Sequence, residues 1–248
     1  MPVRAYTLKV ELLGSDNPVI TRTFTIPASW TFHKLHAAIQ YTFGWQDCHL
    51  HSFTFERADG RGPALFRIES ADSEEFDDFD VGGGTTNVTD TKIRLSDVWE
   101  ERGKYRQNAS HNGRLGTCSY LYDFGDNWEH QVDFVSRTTL DSKELKVIEV
   151  QGAGPMEDSG GIYGWEEVKK AFAATNPSTA QIDRRHWATE SSSLGSAYDP
   201  TIAPTVASLS SRGAFEAWLD HHATADSEGS FSDSDGDEPG DDNGGTAN

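Results

Sequence analysis

The sequence predicts an α+β protein: a single compact domain on a mostly antiparallel or mixed sheet, with helices packed on it and a disordered acidic C-terminal tail. Three observations carry that prediction. Period-two alternation of apolar and polar residues recurs up to Val150, as half-buried strands require. Apolar residues at helical spacing mark the stretch before Phe43 and the stretch from Trp165 to about Ala174. From Thr224 the chain has eight acids, no Lys or Arg and one aromatic, too little apolar surface to offset the entropy of ordering. The expected boundaries are a domain at 1–223, with loop-rich insertions at 57–92 and 101–117, and a tail at 224–248.

In order, Tyr6, Leu8, Val10 and Leu12 alternate with polar residues and predict a strand. Gly14 to Pro18 is a turn, and Ile20, Phe24 and Ile26 continue a hairpin in which Arg22 is the exception on the apolar face. Ser29 or Thr31 can cap a helix to about Phe43 whose stripe is Phe32, Leu35, Ile39 and Phe43. After Gly44, residues 47–55 read as a strand with Asp47, His49, His51, Phe53 and Phe55 on one face. The stretch 93–99 reads as strand-to-helix, with Ser96 as cap. Tyr120 to Phe134 forms a second hairpin around Gly125-Asp126-Asn127, with Tyr120, Tyr122, Phe124 and Trp128 as packing. Leu145 to Val150 is a further strand, and helices follow near 165–174, 178–188 and 215–219.

Charge narrows the function classes. The net charge of -19 falls only to -11 when the tail's eight acids are removed, so the folded part is acidic too. Such a surface repels phosphate backbones and anionic headgroups, which argues against direct nucleic-acid binding and against membrane-surface binding. Two cysteines cannot build a disulfide framework or a four-thiolate zinc site. The N-terminal stretch lacks a signal-peptide core, and an intracellular location, cytoplasmic or nuclear, is expected. The acidic run in 69–80 lacks calcium-loop spacing, and Gly82-Gly83-Gly84 lacks the Gly-Lys-Ser/Thr ending of a phosphate-binding loop.

The candidate chemistry lies in three stretches. Asp123, Asp126, Glu129 and His130 gather at the tight end of the second hairpin, where they could form an acid/base pair, ligate a metal, or satisfy turn amides. His49 and His51 bring two imidazoles, and His33 and His36 lie three apart on the first helix. Glu157 and Asp158 sit between Pro155 and Gly160-Gly161, at a helix entrance. Candidate binding residues are Tyr122, Asp123, Asp126, Trp128, His130, Glu157 and Asp158. Candidate ligands for a divalent metal are His49, His51, Asp123, Asp126 and His130.

Three blocks, HKLHAAIQYTFGWQDCHLHSF, YLYDFGDNWEHQVDF and GPMEDSGGIYGW, with the YDP of Tyr198–Pro200, resemble the plasmid pRiA-type Orf-three-like domain family. Its members are also labelled TnpR-like insertion-element passenger proteins. The resemblance covers roughly residues 5–220 and implies a compact α+β fold with helices against a mixed or antiparallel sheet. It departs in the third block, where Met156 and Ser159 stand at positions that are often proline or cysteine in the family.

Three functions compete. A non-enzymatic binding or adaptor module would take a protein or peptide partner on an aromatic–polar surface of Tyr120, Tyr122 and Trp128. A metal-dependent hydrolase would gather His, Asp and Glu side chains on one cation. An accessory role in mobile-element DNA transactions rests on the family label, and the charge opposes it.

Overall fold

A computed structural model describes residues 1–71, 86–192 and 194–228, so the triple-glycine run, most of the acidic run and the chain beyond Glu228 lie outside the described residues. The strands are β1 (Val3–Leu12), β2 (Thr21–Pro27), β3 (His51–Glu56), β4 (Phe66–Glu69), β5 (Thr86–Thr89), β6 (Ser110–His111), β7 (Arg114–Leu115), β8 (Thr117–Tyr122), β9 (Trp128–Leu140) and β10 (Lys146–Gln151). The helices are α1 (Phe32–Phe43), α2 (Leu95–Trp99), α3 (Gly161–Ala173), α4 (Thr179–Ser191), α5 (Val206–Leu209) and α6 (Ala214–Glu228). Eight strands form one sheet in the order β10-β2-β1-β9-β8-β3-β4-β5, while β6 and β7 pair separately. Every pairing in the large sheet is antiparallel except β4 with β5. The mixed α+β architecture is as expected.

The alternation in β1 is the reason one face is buried. Tyr6, Leu8, Val10 and Leu12 are buried, while Thr7, Lys9 and Glu11 lie on the partly exposed face. Thr31 caps α1 by accepting the Lys34 amide, and Gly44 ends it at φ 84°, a conformation that suits a residue without Cβ. The α1 stripe of Phe32, Leu35, Ile39 and Phe43 is buried. Each such side chain contributes about 1.5–3 kcal/mol from apolar burial.

Arg22 has a physical account. Its Nε donates to the Thr42 carbonyl at 2.7 Å, and its Nη1 donates to the Thr21 and Gln151 carbonyls at 2.8 and 2.9 Å. The guanidinium lies 4.7 Å from the Phe43 ring centroid. A cation thus meets a free carbonyl at the C-terminal end of α1 and ties β10 to it, where helix and ring both favour positive charge. Burial still lowers its pKa to about 10.

Several expected boundaries move. Residues 47–50 are not strand: Asp47 has φ 58°, and β3 starts at His51. Asp47 and His49 therefore do not share a sheet face with His51, because the chain turns before it pairs. The stretch 57–92 contains β4 and β5, and 101–117 contains the β6–β7 hairpin. Ser96 lies inside α2; the Asp97 carboxylate accepts the Arg94 amide instead. Phe124 is 47% exposed rather than packed, because Asp123 at φ 57° turns the chain off the β8 face. Helix α6 runs to Glu228, into the segment from Thr224 expected to be tail.

Candidate functional site

Two His–carboxylate clusters meet near the start of β3, one inside and one at the surface. In the inner cluster the His36 and His51 rings stack with centroids 3.5 Å apart and planes within 7°. His36 spans Asp47 through Nε2 and the Tyr120 hydroxyl through Nδ1, the latter at 2.8 Å. Gln40 Nε2 donates to the same hydroxyl at 3.0 Å. The assignment that satisfies every group has Tyr120 donating to His36 Nδ1 and His36 Nε2 donating to Asp47. Asp90, fully buried, accepts from His51 at 3.0 Å and from His33 at 3.1 Å. Burial, and next the imidazolium that would form on His36, push the His51 pKa down to about 4. Hydrogen bonds from His33 and His51 outweigh burial at Asp90 and hold its carboxyl well below the usual range. A cleft of about 280 Å³ beside this cluster is lined by His33, His36, Asp47, Cys48, His49, Leu50 and His51.

The outer cluster is His49, Asp123 and Asp158, with ligating atoms all within 4.8 Å of one another. Donors around one divalent ion at roughly 2.0–2.5 Å lie at most about 4–5 Å apart, so the spacing suits a single cation. His49 Nε2 lies 3.1 Å from Asp158 Oδ1 and 3.6 Å from Asp123 Oδ2. Asp123 divides its two oxygens. Oδ1 accepts the Gly125 and Asp126 amides at 2.8 and 3.2 Å and holds the turn, which leaves Oδ2 toward His49. Asp158 is mostly exposed, and φ 57° at this residue turns the chain toward His49.

Glu157 points inward where Asp158 points out. It accepts the Tyr122 hydroxyl at 2.6 Å and the Gln46 amide at 2.8 Å, and burial raises its pKa. Cys48 lies against it, and burial pushes that thiol up to about 11, so it is no ready nucleophile. The Trp45 indole donates to the Pro155 carbonyl at 2.9 Å and fastens the same loop to the end of α1.

Of the candidate ligands, His49 and Asp123 come together, joined by Asp158. His51 does not, since it turns inward to Asp90. Asp126 is a strut: its carboxylate accepts the Gly160 amide at 2.9 Å. At Gly161 a Cβ would lie 2.4 Å from the Asp126 carbonyl oxygen, so only glycine allows this close approach. His130 lies in the core, edge-on to Phe43 and Trp45, and burial pushes its pKa down to about 3. Tyr122 and Trp128 are fully buried, as is Tyr120, so these rings present no surface to a partner. Asp90 was missed by sequence reasoning: it follows an unremarkable short strand, and no motif marks it. The exposed aromatics of this region are instead Phe124, beside Asp123, and Tyr163, 88% exposed, near the start of α3.

No helix among the described residues is long and apolar enough to cross a membrane. Similarity to known proteins is consistent across three comparisons. The chain is 29% identical over 168 residues to the uncharacterized protein y4hQ of Sinorhizobium fredii (strain NBRC 101917 / NGR234), covering 67% of this chain and 72% of that one. Its fold matches the crystal structure of MM3350, a protein of unknown function from Methanosarcina mazei Go1, with TM-score 0.57 and 26% identity, over 80% of this chain and 94% of that one. The family model for plasmid pRiA4b ORF-3-like proteins matches residues 4–204, and the chain belongs to that family.

Proposed function

We propose that this protein is a divalent-cation-dependent hydrolase whose ion is held by His49, Asp123 and Asp158. The supporting observation is the convergence of these three ligand atoms within 4.8 Å. Three protein ligands leave coordination positions for water and substrate, and a cation so held lowers the pKa of bound water. The donor set of one imidazole and two carboxylates suits Zn²⁺ or Mn²⁺. His49 also lines the 280 Å³ cleft, which gives a substrate room beside the ion. Glu157 serves as a positioning residue, fixing the loop that carries Asp158.

The test is turnover of chromogenic ester, amide and phosphate substrates by the protein loaded with Zn²⁺ or Mn²⁺. Activity on one class that chelator and Asp158→Asn both abolish is expected. Loaded protein inert on all three classes would refute catalysis. The binding-module reading keeps one observation in its favour, the exposure of Phe124 and Tyr163. It predicts partner capture that Phe124→Ala or Tyr163→Ala weakens and chelator leaves unchanged.

A further inference from the structure

A second cavity lies on the far side of Glu157, between the end of α1, the loop before α3 and the connection from α4 to α5. It measures about 370 Å³ and is bounded by Trp45, Met156, Leu194, Tyr198 and Ile202, among others. That volume is in the range of small-molecule sites. Its floor is held in place. Trp45 stacks on Phe43 and on Tyr122, each at 5.0 Å, and its indole nitrogen is tied to Pro155. At Gly154 a Cβ would lie 1.9 Å from the Phe43 carbonyl oxygen, so the loop backbone is pressed against the end of α1. The rim leaves two large aliphatic side chains in water: Leu194 is 64% exposed and Ile202 is 67% exposed.

The polar groups of the cavity define what fits. No Lys, Arg or His lines it, while Glu157 and Asp199 do, so an anion is disfavoured. Both carboxylates are already engaged, Glu157 by Tyr122 and Gln46, and Asp199 by the amide and hydroxyl of Thr201. Neither needs a cation. The Tyr198 hydroxyl is different: it is buried and has no hydrogen-bond partner among the described residues. That hydroxyl is closed to a water-sized molecule, so it selects no polar group on a ligand.

We infer that this cavity is a binding site for a small, uncharged, largely apolar molecule. It does not depend on the cation site, although Glu157 forms a wall of one and positions the other.

The test uses the full chain, in chelator, titrated with the neutral ketone fluorophore prodan and, separately, with anionic anilinonaphthalene sulfonate. Saturable one-to-one binding of prodan with a blue-shifted emission is expected, and the anion should bind more weakly. Ile202→Asp, at an exposed position that leaves folding intact, should weaken prodan at least tenfold. The inference is overturned if prodan does not saturate, if the anion binds as tightly, or if Phe124→Ala weakens binding while Ile202→Asp leaves it unchanged.

Discussion

The five residues Asp47 to His51 feed two clusters of the same chemical types with opposite fates. His51 turns inward and joins His36, His33, Asp47 and Asp90, where each carboxylate meets an imidazole. His49 turns outward and is shared by Asp123 and Asp158, two carboxylates against one imidazole. Burial is the difference. Inside, an unanswered charge is so costly that each carboxylate is held by hydrogen bonds to imidazoles, and the product is stability. Outside, excess negative charge is tolerated by water and remains available to a cation.

The comparison is sharpened most by changes to the buried side. Trp128→Ala should cost about 3–5 kcal/mol in chemical denaturation, because it empties the centre of the aromatic core. A loss below about 1 kcal/mol, with loss of a binding activity, would return this ring to a functional role. Asp90→Asn should cost about 1.5–3 kcal/mol by removing the charge that strengthens the hydrogen bonds to His33 and His51. Unchanged stability there would mean that the inner cluster is not what holds this end of the sheet.

Acid should then separate the inner groups from the outer ones. The folded state holds His51 down to about 4 and His130 down to about 3, so it refuses protons that the unfolded chain accepts near 6.5. Their contribution is fully present above about pH 6.5 and is lost as pH falls toward 4. Each histidine lowers stability by up to about 1.4 kcal/mol per pH unit in its window. Asp90 has the same sign in a lower window: its carboxyl is held low, so its contribution is lost only as pH falls through and below the usual carboxylate range. Denaturation midpoints should hold from pH 7.5 to about 6.5 and fall from there to 4.5, and His51→Phe should flatten that fall. A flat wild-type profile would show that the two rings are not buried neutral.

Much of the scaffold was legible because it rests on local periodicity. The alternation of β1 and β2 and the stripe of α1 each follow from burying one face, and Gly44 marks the helix end by its lack of Cβ. Even Arg22 stood out, since a cation on an apolar face needs a reason. The site was legible only in part. His49, Asp123 and Asp158 were each visible as polar residues in dense stretches, but their meeting depends on positive φ at Asp123 and Asp158 and on the close fit of Gly161 against Asp126. Backbone of that kind has no hydrophobic period to announce it. Residues 47–50 misled for the same reason: a run of alternating types continued across a turn. Asp90 was invisible because its importance comes wholly from two histidines distant in sequence.

The smallest structural effect should come from the outer cluster. Asp158→Asn should change stability by less than about 0.5 kcal/mol, since the side chain is exposed and its loss leaves no buried group unpaired. Its effect should appear only in cation binding, which makes calorimetric titration of Zn²⁺ or Mn²⁺ into wild-type and Asp158→Asn protein the most direct measurement of the central claim. One site per chain is expected in the wild type, weakened roughly 100-fold or more in the variant. Absence of binding to the wild type, or equal binding to the variant, would contradict a cation held by His49, Asp123 and Asp158.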